Sequence, residues 1–175
     1  MTDNPTDKKS GRIADYLPLI QAADGLTLSQ ICSLSGLEAS TIQNWIKRGY
    51  VPKPVLKKYR ERHLARILLI AELRESMQID RVGELLRYIN GDTDDESDDI
   101  IAEEALYDLF CEITEQLKEH YPAPDKVGDV VRERVKATVG NEASDKLVNT
   151  LDIMARTYMA NLYKREADAL FLAHI

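Results

Sequence analysis

The chain has 175 residues, of which 44% are hydrophobic and 30% charged, with a formal net charge of −7. That length and apolar content allow one large domain or two small ones with a buried core. No segment approaches the run of about 20 apolar residues that crosses a bilayer, and MTDNPTDKKSG at the N-terminus has no stretch of signal-peptide type, so a soluble, cytoplasmic protein without membrane association is expected.

In chain order, residues 1–11 are polar and read as a disordered arm. Residues 12–90 read as a helical first domain. Within it, Thr27 stands at an N-cap position ahead of Leu28, Ile31, Cys32 and Leu34, whose spacing lines one helical face. Ser35-Gly36 breaks this helix, because glycine takes left-handed backbone angles at little cost. A second helix, Ala39 to Arg48, carries Ile42, Trp45 and Ile46 on one side and Ser40, Gln43, Asn44 and Lys47 on the other. The pattern is a helix-turn-helix. Gly49 ends the second helix, and Pro52 and Pro54 stiffen a connector bearing Lys53, Lys57 and Lys58, read as a compact wing.

The outward groups suit double-stranded DNA. Gln43 and Asn44 can bond adenine through two hydrogen bonds, Lys47 can reach guanine or a phosphate, and short Ser40 and Thr41 let the helix N-terminus approach the backbone. Arg48, Lys53, Lys57, Lys58 and Arg62 are assigned to phosphates. From Ser40 to Arg74 stand nine Lys or Arg against two Glu, a basic island in an acidic chain. A polar face is also what any solvated helix shows, and helix-turn-helix units also dock proteins.

Further along, Leu64, Ile67, Ile70, Ala71 and Leu73 line one helix, and Ile79, Val82, Leu85, Leu86 and Ile89 the next, with Asp80 suiting that helix's dipole. Residues 91–99, GDTDDESDD, hold six acidic side chains and no apolar one. They read as an extended acidic linker or the acidic start of the following helix. A calcium loop is disfavoured, since the central glycine and closing glutamate are missing. Residues 100–175 read as a second helical domain. Ile101, Ala105, Leu109, Ile113 and Leu117 repeat until Tyr121-Pro122 stops the run. Val127, Val130, Val131 and Val135 mark a middle helix ending near Gly140. A long last helix starts at Glu142 or Ala143, and its apolar end at Leu170, Phe171 and Leu172 is expected to be packed.

Charge separates the halves. Residues 1–91 carry fourteen basic and ten acidic side chains, residues 92–175 nine and twenty. The second half therefore repels DNA. Its expected role is dimerisation, partner binding or sensing of a small-molecule effector, against the alternative that it only completes a monomer core. A homodimer would set two recognition helices about one DNA turn apart.

Little else points to chemistry. His63, His120 and His174 are isolated, no Cys-x-x-Cys occurs, and no glycine-rich phosphate loop can be assembled. No cofactor, metal site or catalytic constellation is expected, and the protein is read as a non-enzyme. His63, beside Arg62, reads as a solvent or phosphate contact. Cys32 and Cys111 read as buried small hydrophobes.

Gly36-Leu37, Thr41-Ile42, Trp45, Gly49-Tyr50-Val51-Pro52 and Tyr59 with Leu64, Ile67 and Ile70 resemble the N-terminal winged helix-turn-helix domain of the MerR-type regulators. The run WIKRGYVPKP, followed by KKY and RILLIAELR, is similar to an uncharacterised bacterial family catalogued as domain of unknown function 1836. The resemblance covers roughly residues 11–90, about half the chain, and implies a bacterial, cytosolic, DNA-binding protein. Gln43 departs from the MerR pattern, which places arginine after the Thr-Leu pair, and the wing lacks an Arg-rich hairpin. The expectation is an all-α transcription regulator with a MerR-like helix-turn-helix and a C-terminal helical domain. The alternatives are a non-enzymatic adaptor that uses the same motif for protein contacts, and a small-molecule sensor.

Overall fold

The computed structural model describes residues 11–141 and 143–174, and every regular element among them is helical. Residues 1–10 of the expected arm, and Glu142, lie outside the described residues. The elements are α1 (Ile13–Ala22), α2 (Leu28–Ser35), α3 (Ala39–Lys47), α4 (Glu61–Leu73), α5 (Ile79–Asn90), α6 (Glu103–His120), a 3-10 turn (Pro124–Lys126), α7 (Val127–Val139) and α8 (Asp145–His174).

Local chemistry sets the ends of the first helices as expected. Thr27 Oγ1 accepts from Gln30 N–H at 3.3 Å while Gln30 Oε1 accepts from Thr27 N–H at 2.8 Å, so each satisfies a donor the start of α2 leaves open. Gly36 closes α2 at φ 72°, and Gly49 follows α3 at φ 75°.

Between α3 and α4 the chain is tightly constrained. Leu26 and Tyr59 exchange both backbone hydrogen bonds at 2.8 Å. Val55 and Lys58 close a two-residue turn, with Lys58 N–H donating to Val55 O at 2.8 Å. Its central residues, Leu56 and Lys57, both have positive φ, 51° and 62°, which is the geometry of the tight turns that match a right-handed strand twist.

α4 is the hub, packing against α1, α2, α5, α6 and α8. Nine of its thirteen residues are buried. In the middle of α5 stands Gly83, where a Cβ would lie 2.7 Å from the Tyr50 ring. The helix gives up about 1 kcal/mol of propensity there and gains a close seat for the residue that ends the α3 turn.

The segment 91–99, expected as an extended linker, instead folds on itself and onto the neighbouring chain. Asp92 Oδ1 accepts from Asp94 N–H and Asp95 Oδ1 from Ser97 N–H, both at 2.9 Å. Thr93 Oγ1 donates to Gly49 O at 3.0 Å. Nor do the two halves have separate cores: their buried apolar residues form one cluster, from Ile13 through Leu64 and Leu106 to Met159. The Asp108 carboxylate on α6 accepts from Ile13 N–H at 2.6 Å, so a C-terminal side chain caps the first helix. The separation at 91–99 is thus one of charge, not of packing.

A second difference concerns the C-terminal end. Leu170, Phe171 and Leu172, expected to be packed, are 62%, 59% and 81% exposed. The cause is length. At 30 residues α8 runs about 45 Å, whereas α4 with 13 and α6 with 18 span about 20 and 27 Å. Arg165 lies 3.1 Å from Glu72 on α4 and 2.9 Å from Glu75 just after it, Glu166 accepts from the Tyr121 hydroxyl at the end of α6, and beyond these ties α8 projects past its neighbours.

Candidate nucleic-acid interface

α3 has two unlike faces. Ile42 and Trp45 are buried, at 0% and 2% exposure, and anchor the helix to the core, with the Arg74 guanidinium 5.2 Å from the Trp45 ring centre. Ser40, Gln43, Asn44 and Lys47 are exposed, and Thr41 is half-buried. Among the described residues the side chains of Ser40, Gln43, Asn44 and Lys47 have no hydrogen-bond or ion-pair partner. A row of uncommitted donors and acceptors on a rigid helix can meet base edges without first breaking internal bonds.

The cations assigned to phosphates fall into two groups. Lys57 is exposed on the Val55–Lys58 turn, and Lys53 is exposed before it. The others are engaged within the protein. Arg48 lies 2.8 Å from Asp80 and over the Tyr50 ring, 4.7 Å from its centre, and the Tyr50 hydroxyl donates to the same carboxylate. Lys58 donates to the carbonyls of Ala23 and Gly25, at 3.0 and 3.2 Å, tying the turn to the end of α1. Arg62 pairs with Glu96 and donates to Thr93 O at 2.8 Å.

Four of the island's nine cations are paired with carboxylates that lie outside it in sequence. Arg60 likewise pairs with Asp24 at 2.9 Å. Arg66 is 2% exposed and bound to the equally buried Glu103. The island's cations left without an anionic partner among the described residues are Lys47, Lys53, Lys57, Lys58, which bonds to carbonyls instead, and Arg74. Arg74 was not singled out from the sequence; its signal was its place at the end of that island.

Arg66 joins the halves directly beneath the interface. Its Nε donates to Tyr50 O at 2.7 Å and its Nη2 lies 3.3 Å from Thr93 Oγ1, while Nη1 binds Glu103 at the start of α6. One guanidinium therefore holds the end of the α3 turn, the acidic segment and the C-terminal half. Near Glu103, Asp99 has its pKa raised to about 6 by burial, reinforced by the Glu103 charge.

His63, expected as a solvent or phosphate contact, is 3% exposed. Its Nδ1 accepts from Arg60 N–H at 3.0 Å and its Nε2 lies 3.3 Å from Lys53 O, which assigns a neutral ring protonated on Nε2. The ring sits edge-on to Tyr59 at 5.6 Å and holds the base of the turn. Burial, the largest cause, lowers its pKa below 6.5. A proton on Nδ1 would oppose the Arg60 N–H. The depressed value means that the ring's contribution to stability is complete above pH 6.5 and is lost as the pH falls below it. In denaturant titrations, the stability difference between wild type and His63→Gln should therefore shrink from pH 7 to pH 5. A constant difference would show that the ring does not titrate in this window.

Cys32 and Cys111 are free and half-buried, and burial raises the Cys111 thiol to about 12. Among the described residues no three His, Cys, Asp or Glu side chains gather at metal-ligand spacing, and no helix is long and apolar enough to cross a membrane. An apolar cleft of about 450 Å³ lies between α6, α7 and the start of α8, lined by Ile101, Leu109, Val139 and Leu147.

The sequence pattern described as Domain of unknown function (DUF1836) matches residues 21–110, from the end of α1 into α6. The chain is also similar to a protein described as Uncharacterized protein YkrK from Bacillus subtilis (strain 168), 29% identical over 85 residues, or 46% of this chain. That alignment spans 36% of the relative, so the two share about a third of its length. No solved structure matches the chain.

Proposed function

This chain belongs to the family described as Domain of unknown function (DUF1836), whose matched segment contains all of α2 to α5, and we propose that it is a bacterial transcription regulator that reads duplex DNA with α3. The observation that carries this reading is the uncommitted polar face of α3, with Gln43 and Asn44 at base edges, Ser40 and Thr41 toward the backbone, and Lys47 at guanine or phosphate. Lys57 and Lys53 grip flanking phosphates.

The order of elements supports a winged helix-turn-helix of the MerR kind: Leu26, α2, α3, the Val55–Lys58 turn, Tyr59 paired back to Leu26, then α4. The wing is reduced to two residues held over the core by Lys58 and Tyr59. Two copies joined through the acidic helical half, the uncovered tip of α8 included, would place two α3 helices about one turn of DNA apart.

The test is affinity for random duplex DNA across salt concentrations. Each phosphate contact contributes about 0.9 to the slope of log affinity against log salt, so Lys57→Ala should flatten it by about one without altering the preference among sequences. Because Lys58 is spent on carbonyls, Lys58→Ala should act on stability instead. No binding even at low salt would overturn the DNA reading and leave α3 as a protein-docking helix.

A further inference from the structure

We propose that the connector 49–53 together with Arg62 forms a phosphate-binding surface which the acidic segment 92–99 covers in the free protein, so that DNA and this segment compete for it. This rests on the DNA-binding reading above. Glu96 pairs with Arg62, and Asp94 Oδ1 accepts from Lys53 N–H at 3.2 Å. Thr93 contributes its carbonyl to Arg62 at 2.8 Å and its hydroxyl to Gly49 O at 3.0 Å. Arg48, Gly49, Asp92 and Asp94 line one cleft of about 420 Å³ between segment and connector.

Carboxylates bind these groups as phosphate oxygens would, as anionic acceptors for a guanidinium and a backbone N–H. The connector takes part through its main chain, a form of phosphate contact that demands no particular side chain. A connection between packed helices needs only about 2–8 residues. This one places six acidic side chains within the eight residues 92–99, and their mutual repulsion opposes folding unless cations absorb it. The cation that Glu96 meets, Arg62, is one a flanking DNA strand would seek.

The clasp is also incompletely satisfied. Arg62 Nε is buried with no hydrogen-bond partner among the described residues, and Asp94 and Glu96 stay exposed. Exposed ion pairs are individually weak. A polyanion with one charge per about 1.7 Å of axis competes well against two carboxylates, and more so as salt falls.

The experiment compares wild type, Asp94→Asn/Glu96→Gln and a control, Asp125→Asn/Glu133→Gln, which removes two exposed charges from the C-terminal half. Binding of each to a duplex of about 20 base pairs is followed by fluorescence anisotropy at several salt concentrations, with circular dichroism to verify folding. The segment variant should bind at least about tenfold more tightly than wild type, the control less than about threefold, and the segment variant's salt slope should steepen by about one as Arg62 is freed. Adding Arg62→Gln should abolish the gain. Equal gains in segment variant and control, or no gain in a wild-type chain that binds DNA, overturn the competition while leaving the DNA reading intact. No binding by any chain removes both.

Discussion

Replacing Arg66 with methionine is expected to cost the fold about 3–5 kcal/mol, because it strands the Glu103 carboxylate at 2% exposure with no cation. The loss reaches further than one pair. The Tyr50 carbonyl, 2.7 Å from Arg66 Nε, loses its donor, and Thr93 loses a contact within the acidic segment. For a chain of this length each kcal/mol shifts the melting temperature by about 2–4 °C, so thermal unfolding should begin about 6–20 °C lower. The double variant Arg66→Met/Glu103→Leu should recover most of this, since apolar groups of similar volume can replace a buried pair at little net cost. A single variant that melts like wild type would show that the pair is neither dry nor structurally coupled. Because the guanidinium spans α4, the α3 turn and α6, Arg66→Met should also loosen the seat of Tyr50, measurable as faster amide exchange through residues 49–53.

Replacing Gln43 and Asn44 with alanine is expected to have the largest effect on recognition. Each two-bond contact to a base is worth about 1–3 kcal/mol, so each substitution should weaken the preferred site by about fivefold to 150-fold. Binding to random DNA should stay nearly constant, and so should the salt slope, since neither residue carries charge. Stability should not change, because both side chains are exposed and bond to no described residue. A double variant that prefers the same sequences as wild type would exclude α3 as the reading helix. The contrast with Lys57→Ala separates base reading from phosphate holding on the same surface.

Several features of the site were legible because their causes are local. Thr27 and Gln30 satisfy each other across one helical turn, and Gly36 takes a left-handed angle that other residues avoid. The period of Ile42 and Trp45 names the buried side of α3 without reference to any partner. The matched family segment also falls where the sequence resemblance was strongest. The burial of His63 has only half of its cause nearby, the Arg60 N–H that its Nδ1 accepts. Its neighbour Arg62 points to solvent, whereas the Lys53 carbonyl and the Tyr59 ring that enclose it arrive through the fold of the connector.

What the sequence by itself determined, then, is where the helices start and stop, which side of α3 is apolar, and that the family is the DUF1836 family. Only the tertiary structure decided which charges are available. Arg48 meets Asp80 across 32 positions, Arg62 meets Glu96 across 34 and Arg66 meets Glu103 across 37. A count of lysines and arginines registers formal charge, whereas a phosphate responds to charge not already paired, and pairing depends on which distant carboxylate packing brings within about 4 Å. Helix boundaries depend on bonds that span four residues, so the chain carries them in plain order. The pairing of cations depends on three-dimensional neighbours, and for that reason the acidic segment reads as a separator in the sequence and stands in the fold bonded to Arg62 and the connector 49–53.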